Sequence, residues 1–74
     1  MQYESYRSVN DKRVHLIFPE GTFDSLPDKI RHRGPWQGLK RGELDKLRPE
    51  YQQAISEVGY IILDIPAGLF RPEV

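Results

Sequence analysis

Two short stretches, VHLIF at 14–18 and YIILDI at 60–65, carry bulky apolar side chains at odd and even positions alike. Successive side chains of a strand point to opposite faces, and a sheet with one wet face alternates apolar with polar residues. Both stretches read as strands, since Val14, Leu16 and Phe18 recur with period two, as do Ile61, Leu63 and Ile65. Yet Ile17, Tyr60 and Ile62 fall on the opposite sets. Something has to meet a second apolar face. That requirement constrains the fold more than any motif does.

Turn formers divide the rest of the chain. Residues 3–9 form a weaker strand, joined to 14–18 through Asn10, Asp11 and Lys12, so the chain opens on a hairpin. Pro19 and Gly21 end its second strand. Residues 25–33 predict a short helix, with Ser25 as N-cap, Pro27 in the first turn, Leu26 and Ile30 facing inward and Gly34 as the stop. Leu44, Leu47, Tyr51, Ile55 and Val58 make one helical stripe. Pro49 inside a continuous helix would cost ~3 kcal/mol, so a turn at 43–47 and a helix starting at Pro49 are expected, with Gly59 closing it.

The order β-β-α-α-β predicts a single α+β domain over 1–74. A three-stranded, mainly antiparallel sheet has the short helices packed on one face. Placing the last strand beside the first gives sheet order 2-1-3. Residues 66–74 are expected as a half-ordered tail unless Leu69 and Phe70 dock. LRPEY at 47–51 echoes FRPEV at 70–74, and two such matches read as coincidence rather than as a repeat.

Composition bounds what such a chain can do. It has 74 residues and no cysteine, which excludes disulfides and thiolate metal sites as staples for a small core. His15 and His32 stand apart without clustered partners, so no metal and no cofactor is expected. The N-terminal residues lack the apolar run of a secretory signal, and no stretch is long enough to span a bilayer, so a cytoplasmic protein without membrane contact is expected. Eleven Lys/Arg offset eleven Asp/Glu, which argues against a strong global field for nucleic acid.

No nucleophile elbow, phosphate loop or zinc-protease motif is present, and Gly34, Gly38 and Gly42 lack the residues that make a phosphate cradle. Hydrolysis using His15 or His32 ranks last, because each reads as an ordinary strand or helix-end residue. The chain is therefore expected not to be an enzyme. Two surfaces stand out instead. One is an association surface of Tyr6, His15, Ile17, Tyr60 and Ile62 on the outer sheet face, for an unidentified protein partner or a second copy. Coverage by the tail competes equally with that reading. The other lies in residues 29–41, which hold five bases and no acid. There Arg31, Arg33, Lys40 and Arg41 flank Trp36, a pattern suited to single-stranded nucleic acid or another anion. Tryptophan is usually buried, so an indole serving as a core anchor is favoured over an exposed stacking plane. A non-catalytic protein-interaction module, with a homodimer through its outer sheet face or an edge strand as one form of it, is the leading expectation, and weak nucleic-acid binding the alternative.

Overall fold

The opening hairpin forms as its alternation dictates. In the computed structural model, which describes all 74 residues, β1 (Gln2–Ser8) pairs antiparallel with β2 (Val14–Pro19). Ser5 lies opposite Ile17, Tyr6 opposite Leu16 and Arg7 opposite His15. Directly opposed residues share a face. Tyr3, Ser5, His15 and Ile17 therefore point one way, and Tyr6, Val14, Leu16 and Phe18 the other.

The sheet has four strands rather than the three expected. β3 (Trp36–Glu43) pairs with the free side of β1, and β4 (Ile61–Asp64) pairs with β2, giving the order β3-β1-β2-β4 with every pair antiparallel. Residues 36–43 are thus a strand and not a connector, and the last strand lies beside β2, not β1. The physical reason is backbone pairing. β3, WQGLKRGE, is exposed along most of its length and has no apolar period. Its contact with β1 is bracketed by the Leu44 N–H donating to the Met1 carbonyl and the Val9 N–H donating to the Pro35 carbonyl, each at 2.9 Å. With that side of β1 filled, the open side of β2 remains for β4, which sets Ile61 opposite Ile17, Ile62 opposite Leu16 and Leu63 opposite His15.

Helices cover both faces of the sheet, not one. On the first face lies α1 (Asp28–Arg31), a single turn and shorter than the sequence predicts. Residues 23–25 form a separate 3-10 turn, Pro27 rather than Ser25 stands at the N-cap, and His32 is the C-cap, so Arg33 rather than Gly34 follows it. Pro27 has an extended backbone at φ −55° and ψ 145°, which keeps the two turns apart. Leu26 and Ile30 bury themselves on Leu16 and Phe18, with Tyr6, Phe23, Trp36, Tyr60 and Ile62 packed around them.

On the opposite face lies α2 (Pro49–Val58), which starts with its proline in the first turn, as the sequence predicts. It ends at Gly59, whose φ of 98° is a left-handed conformation that glycine adopts without steric penalty. Ile55 joins Tyr3, Ile17, Leu47 and Phe70 in a second buried cluster. After a 3-10 turn at Ala67–Leu69 the C-terminal residues run back along this face. The Arg48 N–H donates to the Pro72 carbonyl at 2.9 Å and the Val74 N–H to the Lys46 carbonyl at 3.0 Å. The two similar pentapeptides, 47–51 and 70–74, therefore lie against each other, with Leu47 bridged to Glu73. Phe70 docks while Leu69 stays exposed. The chain meets its own second apolar face.

Candidate functional site

The five residues expected to form one association surface lie on two faces. Ile17 and His15, 0% and 1% exposed, are sealed beneath α2 and the C-terminal segment. Tyr6, Tyr60 and Ile62 sit on the α1 side and are half-buried. The split follows from the position of β4. Beside β2, its Ile62 must share a face with Leu16 rather than with Ile17.

His15 is a buried polar side chain held on two sides. Its ring lies on Phe70, and its Nε2–H donates to the Ile65 carbonyl at 3.2 Å. Nδ1 is buried without a partner. Burial holds the imidazole below the usual histidine range, the Ile65 hydrogen bond opposes this, and the charge of Arg7 adds to the lowering. The ring is enclosed by the fold, and no group that could take up its proton lies beside it within hydrogen-bond reach. His32 is exposed at the end of α1.

The basic stretch does not converge on one surface. Arg31 is engaged at home, its Nε donating to the Leu26 carbonyl at 3.1 Å and its Nη2 to the Asp28 carboxylate. Trp36 is half-buried against the α1 cluster, its indole N–H donating to the Ile30 carbonyl at 3.0 Å. Arg41 shares the Trp36 face but stands five residues along the strand, about 17 Å at ~3.3 Å per residue, and pairs with Glu4 at 3.6 Å. Lys40 projects from the other face, opposite Ser5. Arg33 is exposed. The register break between Ser5 and Tyr6 opens a cleft of about 290 Å³ in this region, lined by Glu4, Ser5, Tyr6, Gly38, Leu39, Lys40 and Arg41.

With both faces closed, the open features of the sheet are its two edges, and their chemistry differs. β3 carries Lys40 and Arg41, two glycines and a bulge, the devices that blunt an edge against further pairing. β4 has no base, glycine or bulge, and its single charge is Asp64 at its end. Its residues Ile61, Ile62 and Leu63 are only half-buried, and Tyr60 before it is equally half-exposed. In an antiparallel ladder the backbone groups of alternate residues face the neighbour. The Ile65 N–H donates to the Arg13 carbonyl at 2.8 Å, so the odd-numbered residues of this segment face β2. The N–H and C=O groups of Tyr60, Ile62 and Asp64 point outward. Sequence reasoning named Tyr60 and Ile62 for their side chains and an edge strand without saying which, and it missed Asp64 and the backbone row that is open. The signal that could have found them is an apolar run without Lys, Pro or Gly to guard it.

No group of three or more His, Cys, Asp or Glu side chains is placed to hold a metal ion, and no helix is long and apolar enough to cross a membrane. No protein-family model matches this chain, and no curated protein or solved structure matches it.

Proposed function

We propose that this chain is a non-catalytic protein-interaction module that works in the cytoplasm and takes an extended partner strand at the open edge of its sheet. The observation that carries the reading is the contrast between closed faces and an apolar edge at β4 that no base, glycine or bulge interrupts. Strand addition draws affinity from main-chain hydrogen bonds and specificity from alternate side chains, and Tyr60, Ile62 and Asp64 offer both. The cysteine-free sequence suits a reducing compartment. Nucleic-acid binding through residues 29–41 is supported less well, because Lys40 and Trp36 project from opposite faces and Arg31 and Arg41 already have acidic partners.

A library of extended synthetic peptides screened against the immobilised protein tests this reading. Binders are expected that weaken about tenfold or more on Ile62→Pro and little on Ile62→Val. The proline removes only an outward N–H, a position edge strands tolerate. A folded Ile62→Pro protein that binds its peptides undiminished, or a monomeric protein for which the screen gives no binders, overturns the reading.

A further inference from the structure

Resting on that edge reading, we propose that the partner strand is β4 of a second copy, paired antiparallel about a two-fold axis at Ile62. The product is a continuous eight-stranded sheet. The outward backbone groups belong to Tyr60, Ile62 and Asp64, so these residues must form the hydrogen-bonded pairs with their counterparts. Registers differing by one residue are excluded, because they would mismatch donors and acceptors and bring opposite side-chain faces together.

Among the remaining registers, centring on Ile62 gives the fullest match. Ile62 meets Ile62 of the second copy, and Tyr60 meets Asp64 on the same face. Ile61 meets Leu63 on the other. Apolar side chains oppose apolar ones, and the single charge of the strand lies across from a phenol hydroxyl able to donate to it. Asp64 is exposed and uses Oδ1 for the Nε of Arg13 at 2.9 Å, which leaves Oδ2 for this donor. Because the axis repeats each pair, the Tyr60–Asp64 contact forms twice. Sliding by two residues sets Asp64 beside Ile62 or moves it off the strand. Nothing comparable is offered by β3, whose outward row is broken by the bulge and whose Lys40 and Arg41 would meet like charges near their own two-fold.

Light scattering over a concentration series tests the dimer, and a pair of variants tests the register. Tyr60→Lys places two ammonium groups opposite two Asp64 carboxylates, whereas Tyr60→Asp places like charges there. Both lose the same ring. The dissociation constants of the two variants are expected to differ by about tenfold, with Tyr60→Lys the tighter. Equal dissociation constants, or a wild-type protein that stays monomeric at every concentration, overturn the proposal. A monomer that still binds peptides in the screen above sinks self-pairing while leaving the edge reading intact. Should the variants fail to fold, hydrogen exchange on the wild-type protein decides. The N–H groups of Tyr60, Ile62 and Asp64 are expected to slow with rising concentration while those of Gly38 and Arg41 do not, and unchanged rates at all five refute the dimer.

Discussion

The imidazole of His15 lies flat against the ring of Phe70, with centroids 4.0 Å apart and planes 2° from parallel. One ring belongs to a central strand and the other to the C-terminal segment, so the stack joins the two ends of the chain across the sheet face that also holds Tyr3 and Ile17. Phe70 is 8% exposed there. Replacing it with alanine removes the stack and most of the cover over this cluster, and is expected to destabilise the protein by about 3–5 kcal/mol in denaturant titrations.

The burial of His15 also makes stability depend on pH. Burial lowers the His15 pKa in the folded state, so the unfolded chain binds a proton more readily. Its contribution is complete above the ordinary histidine value of 6.5 and declines as pH falls below that toward the lowered folded value. Urea unfolding between neutral and mildly acidic pH should show this slope. His15→Phe keeps a stacked ring and should abolish it. A slope unchanged in that variant would assign the effect to other groups.

Tyr3 and Glu73 form the second tie between the ends, the phenol donating to the carboxylate at 2.6 Å. Burial, this hydrogen bond and the carboxylate charge all push the phenol above its ordinary value of 10.0. A raised folded pKa means that the contribution is full below that value and is lost as pH rises beyond it. Tyr3→Phe is expected to cost about 1.5–3 kcal/mol near neutral pH, toward the lower end because Glu73 is half-exposed. An ultraviolet titration should show one phenol fewer ionising in the folded wild type than after denaturation.

Gly42 lies opposite Tyr3, and the space a Cβ would occupy there holds the Tyr3 ring and the Glu73 carboxylate. Gly42→Ala must displace both. A loss of about 1–3 kcal/mol and faster amide exchange at Arg48 and Val74, whose N–H groups bond across this segment, are expected. Unchanged exchange at those two positions would mean that the segment is held independently of the Tyr3 contact.

Trp36 and Arg33 separate anchoring from display within the basic stretch. Trp36→Phe loses the indole hydrogen bond to Ile30 and part of its packing, for about 1–2 kcal/mol. Arg33→Ala alters an exposed side chain and should stay within about 0.5 kcal/mol of wild type. Chemical denaturation of both variants measures the contrast directly.

Local sequence determined the hairpin, the break at Pro49, the left-handed stop at Gly59 and the need for cover on two faces. Each depends on side-chain alternation or on the backbone limits of Pro and Gly, which act within a few residues. Tertiary structure decided the rest. β3 is held by main-chain hydrogen bonds, in which every residue can accept and every residue but proline can also donate, so WQGLKRGE has no apolar pattern to announce a strand. Whether β4 lay beside β1 or β2 depended on which edge β3 had taken, and that choice set Ile62 with Leu16 instead of Ile17. The open edge at β4 inherits the same cause: it is the side of the sheet left when pairing partners far apart in the chain have found one another.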